Sequence, residues 1–457
     1  MLHAKIADGI IIEDLSTKSI QKSLKDELEF IENTRENERH LLLDYFEHSG
    51  TDKHIRKFFR SGISTEVPIF TSNLLGRFVR ARSLVYKKSP EMITSELYTE
   101  LVDTQNLNMM RRRIEQLTFL LGSMAWLSYF DSISQTIKYE TIHDFKTFFL
   151  PGQNKPFAVA YPLVLRGNAR MNDQKWIFWS EDAIDPSTGE FVRGQHFLFD
   201  NNGNLFSIND DNINPYGVLP VLFTHRSPQT RTWWVEGATD LMIANQQVDL
   251  GLTQLALANR LDAMGIKYIS GPWNEKTKRE KLPHGIQDVI RLPEGFNFGR
   301  VQGGDTAKHI ENLKFFVDQA GQNNHLQLQW ADGDIPSGRA IQLIGIENTE
   351  QRQAGIQDIW RPFEQTRYNL DRILLEVHQK GDIGEEYSVN FVEPEVVISG
   401  EDIRAQEAHD LANGLTSRKR ILRKRNPDIS EEELDEIIQE ATEEQQSQEQ
   451  PPILSLI

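Results

Sequence analysis

"TDLMIANQQVDLGLTQLALANRLDAM", residues 239–264, decides how the rest of the chain is read. Leu241, Ala244, Val248, Leu252, Leu255 and Ala258 recur at helical spacing and form one apolar stripe. Asn245, Gln246, Asp249, Thr253 and Arg260 fall elsewhere. At 1.5 Å per residue the helix would run roughly 39 Å. Its Asn and Gln content is high for a helix packed in a conventional core.

Downstream, "GIKYISG" and "DVIRLPEGFNF" read as short strands around a charged loop, "NEKTKREK". "GRVQGGDT", 299–306, follows with the glycine frame of a phosphate-binding loop. Such a loop needs lysine before the Ser/Thr, and Asp305 stands there. A carboxylate beside phosphates costs several kcal/mol at short range and an effective dielectric of ~20. The glycines therefore read as a turn leaving the strand module, with Asp305 and Thr306 capping the next helix. That helix is expected over about 306–326, with Ile310, Leu313, Phe316, Val317 and Ala320 on one side. Lys308, Glu311, Lys314 and Asp318 lie on the other. "ADGDIPSGRA", 331–340, is a glycine- and acid-rich loop. A long helical region then reaches about 380, with Pro362 expected to kink it. "YSVNFVEPEVVISG" reads as a strand pair or extended return.

Upstream, residues 15–48 read as one or two charged helices. "SNLLGRFVRARSLVYKKSP", 72–90, has helix-like apolar spacing ended by Pro90, and a further helix over about 95–121 ends at Gly122. From about 124 to 225 the texture is that of strands: "QKWIFWSED" is aromatic, and "DPSTGEF" and "FDNNGNLF" are turns between strand formers. Trp233–Trp234 reads as core or interface. At the other end, "RKRILRKR", 418–425, carries six basic residues in eight, and nine acids without a base follow over 430–449. The bases can touch nucleic acid or be neutralised by those acids in a helical hairpin. Ser430 and Glu433 make a capping box, and 446–457 reads as a disordered tail.

The 457 residues include no cysteine, which excludes disulfides, thiolate metal sites and a cysteine nucleophile, and suits a reducing cytosol. No apolar run approaches the ~20 residues of a membrane span, and the first residues read as no signal peptide. Twelve histidines are scattered without metal spacing. Asp332 and Asp334 could meet a cation, but no calcium-loop pattern follows, and a solvated acidic loop is the plainer reading. No nucleophile motif occurs. The expectation is a chain with no catalytic residues, metal or cofactor. The formal net charge is −17, so tight binding of DNA from outside is not expected, although surrounding DNA without gripping it is. Two helices bracketing a small β module, then a loop, then a kinked helix suit a ring subunit whose lateral neighbours cover polar-edged helices.

Six phrases, in order along nearly the whole chain, resemble the portal proteins of tailed bacteriophages. They are "SNLLGRFVRARSLVYKKSP", "LVDTQNLNMMRRRIEQLTFLLGSMAWLSYFD", "NPYGVLPVLFTHRSP", "GATDLMIANQQVDLGLTQLALANRLDAMGIKYISG", "DIPSGRAIQLIGIENTEQRQAGIQDIWRPFEQ" and "GLTSRKRILRKRNPDISEEELDEIIQEATEE". Arg339 and Pro362 depart from the family pattern. The resemblance implies an α+β, mainly helical portal fold with a β-rich part in its wing. It implies a wing over 1–235, a first stem helix over 236–264, a clip over 265–305 and a second stem helix over 306–328. A tunnel loop over 329–340, a kinked wing helix and return strand over 341–398 and crown helices over 399–445 complete it.

The implied function is a twelve-subunit ring at one capsid vertex, assembled in the host cytoplasm and carried in the virion. Double-stranded DNA is packaged through it by a separate terminase, retained and ejected. Implied partners are the terminase large subunit, head-completion or tail adaptor proteins, and the major capsid or scaffolding protein; no membrane is involved. Asp332, Gly333, Asp334, Ile335, Ser337 and Gly338 would line the channel constriction, and Lys308 and Lys314 would give weak DNA contacts. Lys276, Lys278, Arg279 and Lys281 would lie in the docking clip. Another ring-shaped virion adaptor, or a nucleotide-binding enzyme built on "GRVQGGDT", are the alternatives.

Overall fold

The computed structural model describes residues 10–29, 34–59, 68–163, 175–200, 204–208, 211–229, 232–264, 266–270, 297–301, 306–324 and 349–392, with further helical residues between 404 and 425. The chain is mixed α and β. It divides into two units: one holds residues up to 329 and 348–394, and the other holds 330–347 and 395–457.

In the first unit a short strand, β1 (Ile10–Ile11), leads into α1 (Thr17–Glu29), α2 (Thr34–Glu47) and α3 (Thr51–Arg56). The charged N-terminal stretch is thus two helices followed by a third. Residues 68–73 run outside regular structure to α4 (Leu74–Arg82), which Asn73 caps by accepting from Gly76 N. The expected continuation toward Pro90 is absent. The helix ends at Ser83, because the buried Glu115 carboxylate takes the amides of Val85 and Tyr86 at 2.8 and 2.9 Å. After β2 (Glu91–Ile93), the single helix expected over 95–121 is two: α5 (Glu96–Leu101) and α6 (Thr104–Leu121). Val102 is extended between them, and Asp103 accepts from Asn106 N to start α6.

Gly122 ends α6 at φ 79, and a Cβ there would sit 2.0 Å from Val235 O, so only glycine fits. The strand-rich region follows as read: β3 (Ser123–Asp131), β4 (Thr136–Ile142), β5 (Lys146–Phe149), β6 (Ala158–Leu163), β7 (Lys175–Ser180), β8 (Ala183–Ile184), β9 (Phe191–Val192), β10 (His196–Asp200), β11 (Leu205–Ser207) and β12 (Val221–His225). One sheet has the order β1-β5-β6-β7-β10-β11, and β12-β3-β4 form another. Their inward aromatics build two cores, one around Phe148, Phe178 and Phe197, the other around Phe149 and Trp179, into which Trp233 and Trp234 pack from the segment after β12. Both tryptophans of the 233–234 pair are buried, as the core reading expected.

α7 (Thr239–Met264) matches the opening stretch. β13 (Ile266–Ser270) continues it and pairs antiparallel with β14 (Asn297–Val301), which leads to α8 (Thr306–Asn323). Of the 288–298 expected for the second strand, only Asn297 and Phe298 are among the described residues; both are in the strand, which runs on to Val301. Gly299 pairs with Tyr268, so the first residues of "GRVQGGDT" belong to the strand rather than to a turn leaving it. The helix after it is also shorter than the 306–326 read from the apolar spacing. Residues 349–355 are helical, and a wide π-helical turn, Ile356–Trp360, joins them to α9 (Arg361–Val377). The irregularity expected at Pro362 therefore sits in the turn just before it, where a proline lacking an amide is accommodated at the first turn of α9. β15 (Ser388–Asn390) returns to pair with β2.

In the second unit, residues 407–411 are helical and the basic octet forms α10 (Arg418–Arg425). The capping box at Ser430–Glu433, the acidic run and the tail lie outside the described residues.

Candidate functional site

α7 and α8 pack side by side, antiparallel. Asn324, just after α8, donates from Nδ2 to Asp240 Oδ2 at the start of α7 (3.0 Å). Its Oδ1 accepts from Arg226 Nη2 (3.2 Å). The other ends of the two helices run into β13 and β14. Midway, Gly251 meets Leu313: a Cβ on Gly251 would come within 2.4 Å of Leu313 Cδ2. The missing side chain lets the helices approach closely.

The apolar stripe of α7 is only partly the buried face. Leu241 and Val248 are buried, but Leu255 and Ala258 are half-buried. Asn245, Asp249 and Thr253, expected away from the packed side, are fully buried. The reason is a main-chain partner. Asn245 Oδ1 accepts from Leu75 N (2.8 Å), and its Nδ2 donates to Ser72 O (3.2 Å) and Asp249 Oδ2 (2.9 Å). Asp249 Oδ1 accepts from Ser72 N and Ser72 Oγ, each at 2.7 Å. Thr253 Oγ1 accepts from Phe70 N (3.1 Å) and donates to Phe70 O (3.3 Å). Three side chains one helical turn apart thus satisfy the backbone of Phe70–Leu75 and clamp α7 to the segment that starts α4. Burial pushes the Asp249 carboxyl up to about 6, against the bonds from Ser72 that lower it.

A second buried polar group fixes α9. Arg111 of α6 forks onto Glu364, Nε to Oε1 at 2.7 Å and Nη2 to Oε2 at 2.6 Å. Arg367 reaches Glu364 Oε2 (2.9 Å) and Asp371 Oδ2 (2.6 Å). Tyr86 and Tyr387 donate to Glu364, and Tyr98 and Tyr139 donate to Asp371. Two guanidiniums face two carboxylates, so the formal charges cancel inside. Burial pushes the Glu364 carboxyl up, but Arg111 and Arg367 outweigh it and hold it well below the usual range. This network joins α6, α9, β4 and the return strand region into one body.

The helix pair leaves apolar surface open. On α8, Ile310, Phe315 and Phe316 are 44, 59 and 44% exposed, and Ile243 on α7 is 50% exposed. Ile310 and Phe316 were read as part of the packed side; only Val317 and Ala320 of that stripe are buried. Lys308 is exposed and Lys314 half-buried on the same helix. The clip residues Lys276, Lys278, Arg279 and Lys281 lie outside the described residues. So do the loop residues Asp332, Gly333, Asp334, Ile335, Ser337 and Gly338. Among the described residues no three His, Asp or Glu side chains are placed to hold a metal ion, and no helix is long and apolar enough to cross a membrane.

The i, i+4, i+8 recurrence of Asn245, Asp249 and Thr253 was a legible signal of one polar helix edge, as was the i, i+3, i+7 spacing of Glu364, Arg367 and Asp371. Neither spacing reveals that the edge is buried.

No protein-family model matches the chain, and no curated protein matches it. Among solved structures, a chain of the virion of the native gene transfer agent particle is similar in arrangement at 11% identity. The match spans 76% of this chain and 89% of that one, with a TM-score of 0.38.

Proposed function

We propose that the chain is the portal subunit of a tailed-phage-type virion: a ring component around a channel through which double-stranded DNA is packaged, retained and ejected. The observation that carries this reading is the antiparallel pair α7/α8, ending in a two-stranded ribbon, with large apolar side chains left on its outer surface. Fully burying one such side chain contributes about 1.5–3 kcal/mol. A second copy packed beside the first would cover Phe315 and Phe316, and repetition of that heterologous contact closes a ring.

In this ring α7 and α8 are the stem and the β13–β14 ribbon roots the clip, where terminase and then head-completion or tail proteins dock. The wing is the β-rich part with its clamped helices, facing capsid or scaffolding protein. The net charge of −17 suits a passage, because DNA moving through must not be held. Exposed Lys308 offers a weak, salt-sensitive phosphate contact. The chain supplies the conduit, and the motor chemistry belongs to its partner.

Electron microscopy of the purified full chain tests the reading. Rings with a central hole and a countable subunit number are expected; a monomer at every concentration would sink it. Capture of a terminase large subunit by those rings separates a portal from another ring-shaped adaptor.

A further inference from the structure

β12 is the outer strand of the sheet β12-β3-β4, and its free edge is unpaired. The register pairs Val221 with Leu127, Phe223 with Ala125 and His225 with Ser123. Ser128 N donates to Pro220 O, and Arg226 N to Gly122 O, so the even-numbered residues exchange the hydrogen bonds with β3. Leu222 and Thr224 therefore turn their amide and carbonyl groups inward. Val221, Phe223 and His225 turn theirs outward, and among the described residues no hydrogen bond reaches those groups. Natural edge strands are commonly blunted by lysine, proline or a bulge. "VLFTH" contains neither residue, and its register with β3 is unbroken.

The edge faces a cleft of about 630 Å³. One wall carries Trp233, edge-on to Phe223 with ring centroids 5.1 Å apart, and Pro156. The other carries Ile359 and Phe363, which share a core with Leu222. Lys155 at the cleft is paired with Glu181, and Asp358 lies at the rim of the same cleft. His225 is held neutral near pH 7, because burial lowers its pKa to about 4. The lining suits an extended, uncharged chain with apolar side chains on both faces.

We propose that the outer edge of β12 is a strand-addition site that takes residues Ile453–Ile457 of a second copy of the chain. "ILSLI" carries no charged side chain, suits the apolar walls made by Trp233, Pro156, Ile359 and Phe363, and matches β12 residue for residue in length. Alternate side chains would meet opposite walls: Ile453 and Ile457 on one, Leu454 and Leu456 on the other. Residues 426–452 separate the segment from α10 and span up to ~90 Å when extended, so reach does not limit it. Donation from one copy to the next is a heterologous contact, and the inference rests on the ring reading above.

The test places a benzophenone amino acid at Leu456 of the full-length chain and mixes isotope-labelled with unlabelled copies. Cross-linked peptides joining 456 of one copy to 154–156, 221–229 or 358–366 of another are expected. Adding Leu454→Asp, which leaves the cleft untouched, should cut that yield at least tenfold. Cross-links confined to other surfaces or to one copy, or a yield unchanged by Leu454→Asp, overturn the proposal. Mass photometry on the same samples separates the two ideas: rings without the cleft cross-link sink the strand-addition site alone, whereas monomers sink the ring.

Discussion

Asp249 accepts two hydrogen bonds from a single residue, Ser72, through its amide and its hydroxyl, both at 2.7 Å. These residues are far apart in sequence, and their contact ties the long helix α7 to the entry of α4. Asp249→Ala would leave the Ser72 amide without its acceptor and the Asn245 amide group with only one of its two. A loss of roughly 1–3 kcal/mol is expected in denaturant unfolding, with Asp249→Asn milder because it keeps an acceptor oxygen. Equal stability of Asp249→Ala and the natural chain would refute the clamp.

The Arg111–Glu364 fork is fully enclosed. Arg111→Met leaves a buried carboxylate short of its principal partner and should cost about 3–5 kcal/mol. The double variant Arg111→Met/Glu364→Leu keeps the Arg367–Asp371 pair and should lose less than the two single effects added together. Strict additivity in a double-mutant cycle would show that the fork carries no coupling.

Glu115 gives a pH signature. Burial raises its carboxyl to about 7, from an ordinary value of about 4.5. The folded state therefore binds this proton more tightly than the unfolded one. Its contribution is fully present below about pH 4.5 and is lost as pH rises through about 7. The melting temperature of the natural chain, measured from about pH 5 to 8, should fall relative to Glu115→Gln. A constant gap between the two would rule this out.

Gly122→Ala combines a left-handed φ of 79 with a Cβ 2.0 Å from Val235 O. Backbone must move on both sides, and a loss above about 1 kcal/mol is expected in thermal or denaturant unfolding. Gly251→Ala meets only the far end of Leu313 and should be milder, with Leu313→Ala relieving part of its cost.

Phe315→Ser/Phe316→Ser removes exposed apolar surface without opening a core. Subunit folding by circular dichroism should be retained, while mass photometry shows loss of the ring. Rings persisting at the same concentration would place the lateral contact elsewhere.

Much of this arrangement was legible in the sequence where hydropathy and position agree. The aromatic, strand-forming run "QKWIFWSED" and the turns that follow it pointed to strands, and the unbroken run from Thr239 to Met264 pointed to one helix followed by a strand. The end of α4 was not legible, because Glu115 captures the Val85 and Tyr86 amides from about thirty residues away. The burial of Asn245, Asp249 and Thr253 was hidden for a related reason: polar side chains read as solvent-facing unless their partner is known, and here it is a backbone distant in sequence. The four charges around Glu364 were invisible likewise, since each alone resembles a solvated helix face. The clip lysines and the acidic loop were singled out by composition, and they lie outside the described residues.

The clamp on Phe70–Leu75 also makes mutational tolerance unequal on its two sides. Asn245 and Thr253 read amides and carbonyls, which every residue but proline presents alike. A saturation scan should therefore find the Phe70 side chain widely replaceable, with proline excluded at Phe70, Ser72 and Leu75, where an amide is donated. The same scan should find Asn245, Asp249 and Thr253 nearly fixed. A helix edge that looks dispensable by hydropathy would be the one a library cannot change.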